Sequence, residues 1–277
     1  MPNIIKSDYP QVMGIINMSP DSFYPGSRCL NEKEFEIKFS SMLKDGADII
    51  DIGACSTRPG SQYVTEEQEW ELLKPALKVV LRIFPQSVIS IDTFRSSIVE
   101  RAYDFVGDFI INDISAGEED PDMMQMAARL ELPYIAMHKR GTPDTMQKLC
   151  NYPDVVNQVK SYLKEVVAKA EAAGIKELVL DPGFGFAKDM NQNYQLLNNL
   201  NQFKYNSKTG TTYPLLVGLS RKSMIYKYLE IAPNEALSAT CALELTALIN
   251  GANIIRAHDV LEASQMVKLY KIISKNK

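Results

Sequence analysis

Eight short apolar runs, each followed by a longer amphipathic stretch, set the rhythm of this chain. The runs cover residues 12–16, 48–52, 88–91, 109–111, 134–137, 178–180, 215–217 and 254–255. None shows the strict apolar–polar alternation of a half-exposed strand, so each reads as a strand covered on both faces, as in a parallel sheet. Helical patterns fill the gaps, at 32–44, 65–84, 96–104, 122–130, 154–173, 191–203, 235–250 and 261–274. Thr65, followed by Glu66 and Glu67, marks a helix start, and Gly174 marks a helix stop. The stretch 235–250 is rich in Ala, Leu and Thr on most faces, which predicts burial against the sheet or against a second subunit.

About eight strand–helix units predict an α/β fold, a single (β/α)8 TIM barrel with its active site at the C-terminal ends of the strands. An open, doubly wound sheet is the rival, because periodicity does not reveal closure. No long linker or low-complexity stretch divides the 277 residues, so 1–277 reads as one domain.

Composition narrows the function classes. A hydrophobic fraction of 45% is ordinary for a globular protein. The net charge of -4 argues against nucleic acid as the main partner. No apolar run approaches the roughly 20 residues of a membrane helix, and the N-terminus lacks the parts of a signal peptide; the expectation is a cytoplasmic protein with no membrane partner. The four cysteines (Cys29, Cys55, Cys150 and Cys241) show no metal-ligand spacing and read as reduced thiols.

In a barrel the strand ends open onto one face, and here nearly every run stops in polar or ionisable residues. Asn17 follows the first run, and Ser56-Thr57-Arg58-Pro59-Gly60 lies beyond the second. Asp92-Thr93, Asn112-Asp113, His138-Lys139-Arg140, Asp181-Pro182-Gly183, Ser220-Arg221-Lys222-Ser223 and Arg256-Ala257-His258-Asp259 complete the series. Taken singly, most have a plain structural reading. Asp259 reads as an N-cap for the last helix, Thr93 and Asp113 as caps or supporting residues, Cys55 as a small buried residue, and Lys139-Arg140 as a solvated face. Gly183–Lys188 is only weakly like a phosphate loop. Together they sort into two chemical halves. Asp92, Asn112 and Asp181 suit a ligand that donates several hydrogen bonds; Arg58, Lys222, Arg256 and His258 suit an anion. Arg256 and His258 alternate along a strand and so share a face. Barrels often hold phosphate in the last two loops, where Lys222 and the Arg256/His258 pair lie.

In chain order, Asn17–Phe23, the Ser56–Gly60 string, Ile91-Asp92-Thr93, Asn112-Asp113-Ile114-Ser115, Met137–Gln147, Asp181–Lys188, Ser220–Ser223 and Arg256–Asp259 together resemble the dihydropteroate synthase family over almost the full chain. The resemblance implies a barrel that condenses 6-hydroxymethyl-7,8-dihydropterin diphosphate with 4-aminobenzoate, giving 7,8-dihydropteroate and pyrophosphate in folate biosynthesis. It also implies sulfonamide inhibitors, a Mg²⁺ requirement and a homodimer. By the same resemblance Asn17 contacts Mg²⁺, while Thr57, Asp92, Asn112, Asp181 and Lys222 contact substrate. Arg256 and His258 hold the diphosphate, and Arg58 and Ser223 serve the aminobenzoate side. Asp92, Asp181, Lys222, Arg256 and His258 are the candidates for a catalytic role.

The chain departs from the family pattern in three places. Pro25 stands where a second Asp of the first loop is common, Cys55 where a Glu is common, and Lys139 where the residue is more often apolar. The alternative activity is that of a pterin-binding methyltransferase acting on a methyl-folate and a corrinoid protein. That enzyme needs no diphosphate pocket, so Lys222, Arg256 and His258 favour the synthase. A sugar-phosphate barrel enzyme would not need the Asp92/Asn112/Asp181 trio, and a silent binding protein would need neither set.

Overall fold

The structure is a computed structural model, and it describes residues 9–18, 29, 31–55 and 64–276. Among them, eight parallel strands run in the order β6-β5-β4-β3-β2-β1-β8-β7: β1 (Gln11–Asn17), β2 (Ile49–Gly53), β3 (Ile89–Asp92), β4 (Ile110–Asp113), β5 (Tyr134–Met137), β6 (Leu178–Asp181), β7 (Leu216–Val217) and β8 (Ile254–Ala257). A single bridge, Leu180 to Leu215, joins β6 to the foot of β7, and the Leu180 N–H donates to Pro214 O at 2.9 Å. The ring is therefore nearly closed, which decides for the TIM barrel against the open sheet.

The helices are α1 (Glu32–Asp45), α2 (Glu66–Ile83), α3 (Ser96–Val106), α4 (Met123–Arg129), α5 (Val155–Ala173), α6 (Met190–Asn198), α7 (Ser223–Tyr226), α8 (Leu237–Ile249) and α9 (Val260–Lys275). Local chemistry sets their ends. Thr65 and Gln68 form a capping box on α2, and Asp189 and Gln192 form another on α6. Gly46 and Gly174 stop α1 and α5 in the left-handed conformation that glycine adopts without strain.

Two periodicities build the core. Outward-facing strand residues such as Ile16, Ile52, Ile91 and Ile111 join the helices in one large apolar cluster. Inward-facing residues Met13, Ile49, Ile110, Ile135, Val179, Leu216 and Ile254 form a second cluster inside the barrel. Side chains on a strand return to the same face every second residue. Two residues beyond this apolar layer stand Asp51, Asn112, Asp181 and Arg256. The barrel is thus an apolar plug carrying a polar layer.

The segment between β6 and β7 continues from α6 through a short 3-10 turn, Leu200–Phe203, into an exposed turn in which Asn206 bridges Thr212. The pattern at 191–203 therefore divides into two elements. The pattern at 235–250 likewise begins with a separate turn, Pro233–Glu235, before α8. In α8 only Thr240, Glu244, Ala247 and Leu248 are buried; Ile249 is 58% exposed and much of the remaining apolar surface is half-buried.

Candidate active site

The strand ends surround a cavity of about 500 Å³, a size suited to a small organic ligand. Asn17, Asp92, Asn112, Asp181, Lys222, Ser223, Arg256 and His258 all line it. Thr57 and Arg58 lie outside the described residues, as does Pro25. Asn17, Asp92, Asp181 and Arg256 are strand residues, with Asn17, Asp92 and Asp181 the last of their strands. They point inward by strand geometry and do not depend on loop conformation.

Close approach at the cavity floor needs a residue without a side chain. Gly53 pairs in register with both Asn17 and Asp92. A Cβ there would stand 3.3 Å from Asp92 Cβ and 3.4 Å from Asn17 Oδ1. Gly183 is more restrictive, with φ 72° and a would-be Cβ only 1.9 Å from His138 O. Its N–H donates to Asp181 Oδ1 at 2.7 Å, which fixes the carboxylate's orientation.

The charges are strongly perturbed. Burial pushes the Asp92 carboxyl up to about 7; nearby Asp51 adds to the shift and Arg256 opposes it. Burial also raises Asp181, against the attraction of Lys222. Lys222 is brought down to about 8 by burial, opposed by Asp181 and reinforced by Arg256. Its ammonium donates to Phe184 O and lies 5.1 Å from the centre of the Phe186 ring. His258 is pushed down to about 3 by burial first and then by Arg256 and other cations. It is therefore a neutral imidazole at physiological pH, able to donate one hydrogen bond but adding no positive charge.

Asp259 and Lys139 take roles the sequence pattern did not assign, whereas Asp113 and Cys55 keep theirs. Asp259 makes no side-chain cap to α9; its carboxylate receives Arg221 Nε at 2.8 Å and Nη2 at 2.9 Å. The expected N-cap is thus a clamp between the last two loops, because a bidentate guanidinium outcompetes a single backbone N–H. Lys139 is buried and paired with Glu119, so it is no solvated face. Asp113 caps a turn, accepting from the N–H groups of Ser115 and Gly117 at 2.7 Å each and from Tyr134 Oη at 2.6 Å. The Gly183–Lys188 loop is no phosphate loop. Lys188 is buried beneath it and donates to Gly183 O at 2.8 Å and Phe186 O at 2.9 Å, while Phe184 and Phe186 face the cavity. His138 does not line the cavity; its Nδ1 lies 2.9 Å from Lys188 Nζ. Cys55 does line it, but burial lifts its thiol to about 11, which makes it a poor nucleophile.

Sequence reasoning missed the apolar walls, including Ile114, Met137, Met146 and Phe186, and it missed Asp51, which does not line the cavity but is fully buried and accepts from Arg256 Nε at 2.8 Å. Asp51 lies inside the second apolar run, and a lone carboxylate in a buried strand was the available signal.

The family model described as "Pterin binding enzyme" matches residues 13–258. The dihydropteroate synthase of Escherichia coli K12 is 40% identical over 263 residues, covering 94% of this chain and 90% of that protein. The chain belongs to the dihydropteroate synthase family. Members of this family are transferases of folate biosynthesis. A Yersinia pestis dihydropteroate synthase in complex with a sulfonamide drug superposes with a TM-score of 0.90 at 34% identity, covering 98% of this chain and 96% of that one. A Xanthomonas albilineans dihydropteroate synthase with 4-aminobenzoic acid gives 0.83 at 34% identity, covering 96% and 94%.

Proposed function

We propose that this dihydropteroate synthase barrel, working as one domain over residues 1–277, binds pterin diphosphate at its floor and 4-aminobenzoate at its mouth. The observation that carries the assignment is the sorting of polar groups across one cavity. Acceptors from β3, β4 and β6 face cations from β8 and the loop after β7. Asp181 takes adjacent donors of the pterin 2-amino-pyrimidinone edge, Asn112 both gives and accepts, and Asp92 adds a second carboxylate. Lys222 reaches the pterin carbonyl and the diphosphate. Arg256 and the neutral His258 donate to the diphosphate oxygens. Ser223, with Thr57 and Arg58, serves the aminobenzoate, as it serves sulfonamides that compete for the same place.

No nucleophile from the protein is required. The methylene C–O bond breaks and its electron pair leaves with the diphosphate, whose charge is met by fixed donors. The amine lone pair then forms the C–N bond and the amine loses a proton. Cleavage ahead of attack fits a methylene cation delocalised into the pterin in the field of Asp92 and Asp181. A secondary deuterium isotope effect near unity at that methylene would contradict this order.

Mg²⁺ fits the donor chemistry present. No group of three His, Cys, Asp or Glu able to hold a metal occurs among the described residues, yet Asn17 brings an amide oxygen to the cavity. Mg²⁺ is commonly held by few protein ligands together with substrate phosphates. Asn17 with the diphosphate is such a set, and the ion, when bound, balances leaving-group charge.

A homodimer is part of the proposal. Half-buried and exposed apolar residues of α8 continue into Tyr228 and Leu229 beyond α7, forming an apolar surface turned away from the barrel. Among the described residues no helix is long and apolar enough to cross a membrane, and a cytoplasmic location goes with this reading. Light scattering in solution is expected to give twice the chain mass.

The deciding assay is pyrophosphate release from the pterin diphosphate with Mg²⁺ supplied. Release is expected only with 4-aminobenzoate present and is suppressed by a sulfonamide. Arg256→Ala and Lys222→Ala should each lower kcat/KM about a hundredfold, as loss of one preorganised donor does. Turnover within a few-fold of the parent would overturn these assignments.

A further inference from the structure

Beneath the cavity sits a carboxylate that none of the motif strings above includes and that the ligand does not need to touch. Asp51 is completely buried at the middle of β2, and three strands converge on it. Ser90 of β3 donates its hydroxyl to Oδ1. Asn112 of β4 donates Nδ2 to Oδ2 at 3.1 Å. Arg256 of β8 donates Nε to Oδ2 at 2.8 Å, and its Nη2 lies 2.6 Å from the same oxygen. The other pairing of Arg256 is looser, with Nη2 3.3 Å from Asp92 Oδ2.

This arrangement answers a problem the cavity poses. Asp92 and Arg256 have opposite charges and adjoin at one floor. Left to themselves they would pair fully, and each would be lost to the ligand. A second buried carboxylate that takes Nε, the most constrained donor of the guanidinium, holds Arg256 by its stem. Nη2 is shared between the two carboxylates, and Asp92 keeps acceptor capacity for a ligand donor. Asp51 also orients Asn112. A carboxylate accepts only from the amide nitrogen, so Asn112 Oδ1 and the second N–H are the groups left for the ligand.

We propose that Asp51 is the positioning residue of the pterin half of the site, holding Arg256 off Asp92 and fixing the donor–acceptor order of Asn112. The proposal rests on the functional reading above. It separates Asp51 from a counter-charge that merely stabilises the barrel, because its two cavity-lining partners, Asn112 and Arg256, both serve the pterin diphosphate and neither serves the aminobenzoate.

The test is steady-state kinetics of Asp51→Asn, which keeps the shape and removes the charge. KM for the pterin diphosphate is expected to rise about tenfold or more, as for a lost charge-assisted bond, with KM for 4-aminobenzoate within about twofold of the parent. Arg256→Lys, which has no Nε to offer, should cost much less in the Asp51→Asn background than in the parent, since the two residues act as a unit. Equal rises in both KM values, no rise in either, or additive losses would overturn the proposal. If Asp51→Asn does not fold, Ser90→Ala loosens the same carboxylate from the other side. It should produce a smaller rise in the same KM, and no rise overturns the proposal. A parent chain that turns over normally beside an unaffected variant refutes Asp51 alone; a parent with no turnover refutes the functional reading itself.

Discussion

Glu244 shows how one buried side chain reports on pH. It lies on α8, and burial first, then Asp259, lifts its carboxyl from 4.5 to about 8. Oε1 makes no hydrogen bond among the described residues. The native state therefore keeps a proton that the unfolded chain releases above about 4.5, and the stability this confers is fully present below that pH and lost as pH rises through 8. His138 and His258, pushed down to about 2 and about 3, act the opposite way below 6.5, because there the unfolded chain binds the extra protons. The informative quantity is thus a difference. The melting temperature of Glu244→Gln minus that of the parent should grow between pH 5 and pH 8, measured by differential scanning fluorimetry across buffers. Gly183 gives a second test. Gly183→Ala forces a methyl into the His138 carbonyl at a positive φ and should cost about 2–4 kcal/mol in denaturant unfolding. KM for the pterin substrate should rise with it, since the shifted backbone displaces the N–H that orients Asp181.

At the level of elements, the eight runs were legible because strands buried on both faces read as unbroken apolar segments. Their ends were less so. Asp92, Asn112, Asp181 and Arg256 read as residues at or just past the strand ends, yet all four are strand residues, because inward-facing polar groups are stabilised by one another in the barrel lumen. Asp51 was hidden for the same reason, its partners being 39, 61 and 205 residues away in sequence. Helix α7 went unread because four residues are too few to establish a period. Asp259 was misjudged because its partner Arg221 belongs to another loop. The elements also differ in firmness. β1 and β2 pair over five residues, whereas β6 meets the β7 side through one bridge. Hydrogen exchange should accordingly release the Leu180 amide before those of the β1–β2 ladder. Slower exchange at Leu180 would show the seam to be as firm as the rest of the ring.

For the whole molecule, the near-closed seam has a use as well as a cost. The exposed turn at Lys208, Thr209 and Gly210 precedes β7. A chain divided there leaves β1–β6 on one piece and β7–β8 on the other. The division also sorts the chemistry. Asp51, Asp92, Asn112 and Asp181 stay with the long piece, while Lys222, Arg256 and His258 go with the short one. Neither piece alone carries both a pterin edge-binder and a diphosphate binder. Co-expressed halves that find each other should regain turnover, and separate halves should have none, which would make the barrel a two-part complementation reporter whose signal is the product itself.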